Sequence, residues 1–244
     1  MPPLLLLVPI LFLGGVFSSI AGGGLGIVTI VLGSFFLPIQ QNLAITALLM
    51  FAIQVAKLFF FRGEIRWDIT LWYGLPGLPT SFAAGGLLFL LYSRLLEIVI
   101  GLICLLFAIH PYISFLHIKR LTFRPSKPVM VALGAFNGII AGIVGNGSFI
   151  RAPALLSMGL RKEEFIGTST AVAFIMNLGR NVAYAPHIVW SHDLIIALAL
   201  LFPLMMFSVG IGKKLLRYVS IPVFENLQHG IMFAGAIKLL FFPS

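Results

Sequence analysis

The chain has 244 residues, of which 60% are hydrophobic and only 9% charged, with a mean hydropathy of +1.10. Soluble domains are about 45–50% apolar and about 25% charged, so this composition excludes a soluble core and predicts an all-α integral membrane protein. The net charge of +9 does not point to nucleic acid, because the 16 basic residues sit mainly between apolar runs, where they act as topology signals.

Stretches free of Asp, Glu, Lys and Arg cover residues 1–56, 69–93, 98–118, 128–150 and 194–212. About 20 apolar residues cross a bilayer core, so each is a candidate membrane segment. No basic region precedes the first run, and apolar segments follow it directly, which argues against a cleaved signal peptide. In chain order the pattern predicts a long glycine-interrupted segment over 3–36, then helices near 43–61, 69–92 and 95–117. A basic linker over 119–128 follows. After it come a second interrupted segment over 129–157 and helices near 165–185, 193–212 and 222–242. The same four-part pattern therefore occurs twice, in 1–118 and in 129–244. An offset of 124 lays Ala21, Gly23, Thr46 and Ala47 on Gly145, Gly147, Thr170 and Ala171, and one residue less lays Ile65 and Trp67 on Ile188 and Trp190. These matches point to an internal duplication.

The interrupted segments set the expected topology. As one continuous helix, 3–36 would be about 50 Å long against a hydrocarbon core of about 30 Å. Its middle, residues 21–26, is glycine-rich, and each glycine costs about 1 kcal/mol of helix stability relative to alanine. Gly145-Asn146-Gly147-Ser148 is the counterpart break. If each such segment is a hairpin entering and leaving on one face, eleven loop Lys and Arg residues share the cytoplasmic side with only Arg94 opposite; single crossings would divide them six and six. The positive-inside rule favours hairpins. The fold expected is thus two inverted four-segment repeats, each opening with a broken helix, with about eight to ten helical segments.

Irregular backbone at membrane depth persists only where protein or a cavity surrounds it. Helix starts following such breaks present free N–H groups and a positive dipole end, suited to an anion. Gly22, Gly23, Gly24, Gly26, Gly145, Asn146, Gly147 and Ser148 are the resulting substrate-binding candidates, with close helix packing through small residues as the competing explanation. Arg151 and Arg180, the latter flanked by Asn177 and Asn181, offer planar donor forks for an oxyanion. Lys57 and Lys238 are read instead as snorkelling toward the membrane surfaces. Hydroxyls near the breaks, Thr46 and the Gly167-Thr168-Ser169-Thr170 cluster, complete the set, although such groups also bond back to their own helix. The seven acidic residues fall at predicted loops or helix ends, which argues against a cation pathway. Cys104 is the only cysteine and the five histidines have no ligand spacing, so no metal site, cofactor or catalytic group is expected.

With these residues in view, the stretches 14–26 and 134–153, each followed by an apolar helix with a small hydroxyl cluster, resemble the sulfite exporter TauE/SafE family. Gly145 to Pro153, Gly167-Thr168-Ser169 and the Ile65-x-Trp67 pair match its pattern, and the likeness extends over nearly the whole chain. Departures are Gly-Asn-Gly-Ser where a run of glycines is usual, and the lack of a proline after the first break. The resemblance implies a non-enzymatic secondary transporter that exports sulfite, an organosulfonate or a similar small anion across the cytoplasmic membrane. An anion channel or importer on the same scaffold, and a non-transport membrane protein of sulfur metabolism, are the alternatives. The partners expected are the lipid bilayer and a small anionic substrate, without nucleic acid.

Overall fold

The computed structural model describes residues 12–16, 18, 19, 25–35, 38–113, 125–160, 162–188, 190, 192–216, 218, 230, 233, 234 and 236–242. Among these residues the chain is helical throughout and contains no strand. The longer helices are α1 (Leu25–Gly33), α2 (Ile39–Phe61), α3 (Leu75–Leu88), α4 (Ser93–Ile113), α5 (Lys127–Val144), α6 (Ser148–Ser157), α7 (Lys162–Tyr184) and α8 (His192–Leu215); a single turn at Trp67–Ile69 and residues 12–16, 18, 19 and 236–241 are helical as well. Each falls within a few residues of its expected place. The glycine run at Gly22, Gly23 and Gly24 and the linker residues Lys119, Arg120 and Arg124 lie outside the described residues.

Three helices among the described residues are long and apolar enough to cross a bilayer, at Ile39–Glu64, Lys127–Val144 and Leu198–Leu215. The molecular surface agrees with that solvent. Leu90, Leu106, Leu200, Phe207 and Phe241 are each more than 60% exposed, whereas Lys57, Arg151, Arg180, Asn137 and Ser169 are buried. Water rejects contiguous exposed apolar surface of this kind, and lipid accepts it.

In lipid, close backbone approach and interhelical hydrogen bonds replace the hydrophobic effect as the source of helix association. Helix α3 packs between α5 and α7 in this way. Gly134, Gly138 and Gly142 recur every four residues and so form one face of α5. A side chain at Gly138 would run into the Gly77 backbone and the Thr80 hydroxyl. The Thr80 hydroxyl donates to the Ala135 carbonyl at 2.9 Å, and the Ser81 hydroxyl donates to the Met176 carbonyl at 2.7 Å. Just before α3, one π turn over Thr70–Gly74 precedes Pro76, and the fully buried Tyr73 lies within it.

Helix α2 is the second scaffold of the site. One of its faces packs Leu49, Ile53 and Ala56 on Leu201, Met205 and Val209 of α8. Its contact with α7 includes the Phe51 and Phe174 rings, stacked with centroids 5.1 Å apart. At the end of the chain, Arg94 at the start of α4 donates to the Leu239 carbonyl at 2.9 Å and pairs with the buried Glu97 at 3.3 Å, while Lys238 donates to the Ser34 carbonyl at 2.6 Å. Glu97 is thus buried close to a helix start beside Arg94. Before α3, Arg66 and Asp68 at the short helix Trp67–Ile69 form an exposed pair, and the hydrogen bond from Arg66 holds the Asp68 carboxyl below its ordinary range.

Candidate functional site

The break between α5 and α6 takes its geometry from its residues. Helix α5 stops at Gly145, whose φ of 78° lies in the left-handed region that glycine adopts without a Cβ clash. Its N–H still reaches the Ala141 carbonyl at 3.1 Å, closing the last turn. Asn146 and Gly147 turn the chain, and α6 begins at Ser148. The Asn146 Oδ1 accepts from the Ser148 N–H at 2.9 Å, taking one of the donors that a helix start leaves free. Gly147 is bare because a Cβ there would overlap the Asn137 side-chain amide.

This break opens on a cavity of about 60 Å³. Gly145, Asn146, Gly147, Ser148 and Arg151 line one side of it. From α7 come Ser169, Thr170, Ala173, Met176 and Asn177, whose spacing of three or four puts them on one helical face. From α2 come Met50, Ile53, Gln54 and Lys57, again at three- and four-residue intervals. Gly26 and Ser18 supply the first segment's share. A Cβ built on Gly26 would stand 3.3 Å from the Asn146 Nδ2, so the two segments that the sequence marks as interrupted approach one another here.

Two cations define the electrostatics. Lys57 is 4% exposed, and its Nζ donates to the Ser18 carbonyl at 2.9 Å and to the Ser18 hydroxyl at 3.3 Å. Arg151 is 6% exposed, and its Nε donates to the Ser169 hydroxyl at 2.9 Å. No hydrogen-bond acceptor among the described residues meets the terminal nitrogens of Arg151. No carboxylate stands among the described lining residues. Gln54 also lines the cavity, and its Oε1 has no hydrogen-bond partner among the described residues.

The structure brings nine of the candidate residues, Gly26, Gly145, Asn146, Gly147, Ser148, Arg151, Ser169, Thr170 and Asn177, to the cavity lining, and leaves three others off it. Arg180, on α7, reaches the same break without lining the cavity, and its Nε and one terminal nitrogen are buried without a hydrogen-bond partner among the described residues. Its guanidinium donates to the Gly145 carbonyl and, at 3.5 Å, to the Ala141 carbonyl, so it satisfies the exposed end of α5. Thr168 accepts from the Arg66 N–H at 3.0 Å and ties the loop before α3 to α7. Thr46 donates to the Asn42 Oδ1 at 3.2 Å, and Asn42 in turn donates to the Ile30 carbonyl at 2.6 Å.

Sequence reasoning missed Lys57, for which snorkelling is the expectation. Its charge turns inward because Ser18 offers two oxygens there, a partner that belongs to another segment and leaves no local signal. The 50, 53, 54, 57 spacing on α2 was available as a pointer to that face.

A helical protein with an apolar exterior and a buried cationic cavity at a break between helices belongs to the class of membrane proteins that handle small ions. The sulfite exporter TauE/SafE family model matches residues 7–239, and the chain belongs to that family, one of membrane transporters rather than enzymes. No curated protein and no solved structure matches the chain.

Proposed function

We propose that this chain is a multi-pass secondary transporter of the cytoplasmic membrane that exports a small sulfur-containing anion such as sulfite or an organosulfonate. The observation that carries the reading is the pair of buried cations, Lys57 and Arg151, on one cavity with no acid among its described lining. Burying an ion costs on the order of several kcal/mol even after relaxation. An anion in the cavity offsets that cost, receives donors from Arg151, and meets the start of α6, where the helix dipole is positive.

The proposed architecture is a pair of inverted repeats whose broken segments meet at this cavity. The duplicated run pattern, the bias of basic loops and the Val144 to Ser148 break support it. Alternating access then follows from movement of one repeat against the other around the fixed anion. An anion leaving a cell that is negative inside gains about 2.3 kcal/mol per charge per 100 mV, so export needs no coupled ion.

Proteoliposome flux tests this. The carrier reading expects sulfite efflux that saturates, shows counterflow and accelerates when the vesicle interior is made negative. Efflux that rises linearly with concentration and shows no counterflow is a channel. Efflux indifferent to the imposed potential removes the uncoupled form of the proposal.

A further inference from the structure

Away from the cavity, the ends of three helices meet in an open groove. Phe60 near the end of α2, Glu163 in the first turn of α7, Gly210, Lys213 and Lys214 near the end of α8, and Leu216 just beyond it form the lining. Two of the candidate membrane spans, Ile39–Glu64 and Leu198–Leu215, finish here, so the groove lies at the edge of the bilayer. Phe60, Gly210 and Leu216 give it an apolar floor. The missing side chain at Gly210 keeps that floor open, since a Cβ there would stand 3.1 Å from the Phe60 ring. On α8, Leu200, Phe207, Gly210 and Lys214 follow one another at intervals of seven, three and four residues, hence on one face. Leu200 and Phe207 are each more than 60% exposed, so this face is a strip of lipid-facing apolar surface that ends in an ammonium group.

The two lysines of the groove have different duties. Lys213 turns back to donate to the Phe60 carbonyl and lies over the Phe61 ring at 4.9 Å, which joins α8 to the end of α2. Lys214 is exposed, and its ammonium has no partner among the described residues. Glu163 is the one acid of the described lining and forms no ion pair with either lysine. Two cations against one acid leave the groove net positive.

We propose that this groove is a binding site for an anionic phospholipid, whose phosphate meets Lys214 and Lys213 while an acyl chain lies along the Phe207 and Leu200 face of α8. Charge and polarity together select that occupant. A soluble anion uses the cations and leaves Phe60 and Leu216 bare, and a zwitterionic lipid brings its own cation up to the two lysines. A lipid with a net negative headgroup suits both parts of the groove. Each basic residue near a membrane surface raises the affinity for such lipids by roughly fivefold. The bound lipid spans the ends of α2, α7 and α8 and so holds together two helices that line the cavity, α2 through Lys57 and α7 through Ser169. The inference needs only a chain embedded in a bilayer, and it stands whatever the cavity carries.

Thermal melts and native mass spectrometry of the purified full chain in detergent test the site with three additives: phosphatidylglycerol, phosphatidylcholine of the same acyl chains, and glycerol 3-phosphate. The expected result is that phosphatidylglycerol alone raises the melting temperature and stays bound. Lys214→Gln is expected to weaken phosphatidylglycerol binding by about fivefold and to melt as the wild type does when no lipid is added. Gly210→Leu fills the groove and is expected to abolish retention of the lipid. Equal stabilisation by phosphatidylcholine, or phosphatidylglycerol binding undiminished in Lys214→Gln, overturns the inference. Stabilisation by glycerol 3-phosphate that matches the lipid and disappears in Lys214→Gln assigns the groove to a soluble anion and overturns it equally. If Gly210→Leu does not fold, the comparison of the wild type with Lys214→Gln decides alone.

Discussion

Arg151 and Lys57 each meet a serine rather than an acid, and that governs what their substitution does. A buried cation without a counter-charge destabilises the empty protein, and replacing it by an apolar side chain of similar volume is neutral or stabilising. Arg151→Met is therefore expected to leave the melting temperature in detergent unchanged or raised. The same change removes charge-assisted hydrogen bonds worth about 1.5–3 kcal/mol each, so sulfite binding should weaken by roughly ten- to a hundredfold. Calorimetric titration and thermal melts of one preparation read both effects; a lower melting temperature with unaltered binding would assign Arg151 a purely structural role. Gly145 has the opposite character. Its φ of 78° costs any other residue about 1–2 kcal/mol, and a Cβ there would press on the Ile30 side chain. Gly145→Ala is thus expected to lower the melting temperature by several degrees. Residue chemistry near the break was readable in the sequence for Ser148, Arg151 and Ser169, because glycine marks the break and the donors follow it at short spacing. It was not readable for Arg180, since its role as a cap depends on where the end of α5 arrives.

At the level of elements, the decisive contacts are made by small residues. Gly134, Gly138 and Gly142 let α5 lie against the backbone of α3, and Thr80 and Ser81 bridge α3 to α5 and α7. Overpacking a tight interface costs typically about 1–3 kcal/mol. Gly138→Leu should accordingly destabilise the protein by at least that much, visible as a lower melting temperature and poor recovery from detergent extraction, whereas Leu90→Ala on the exposed surface should change neither. Helix positions were legible because hydropathy and charge spacing are local; α2, α5 and α8 begin and end within a few residues of the expected limits. The α5 glycine stripe is also written in the sequence, as a four-residue repeat, although the sequence does not say which helix it receives. The π turn over Thr70–Gly74 has no such pattern.

For the whole molecule, the proposed arrangement is two inverted halves around one anion. The duplicated four-part pattern and the eleven-to-one bias of basic loop residues point to it. In that arrangement each half contributes one cation to the cavity, from non-equivalent helices: Lys57 stands on α2 and Arg151 on α6, so neither proposed half would form the site alone. Pairing offset positions, as in Thr46 with Thr170, does not find this division, since Thr170 lines the cavity and Thr46 bonds to Asn42 instead. A site shared across the halves makes the two cations interdependent. Removing either should impair sulfite transport strongly, and removing both should cost much less than the sum of the single effects, as expected for groups that contact one ligand. The most direct measurement is sulfite efflux and counterflow from proteoliposomes containing the wild-type chain, Lys57→Gln, Arg151→Met and the double variant, with incorporation checked for each. The anion-carrier account predicts saturable efflux and counterflow in the wild type, both sharply reduced in each single variant. Wild-type flux that neither saturates nor counterflows, or flux that survives intact in both single variants, would contradict it.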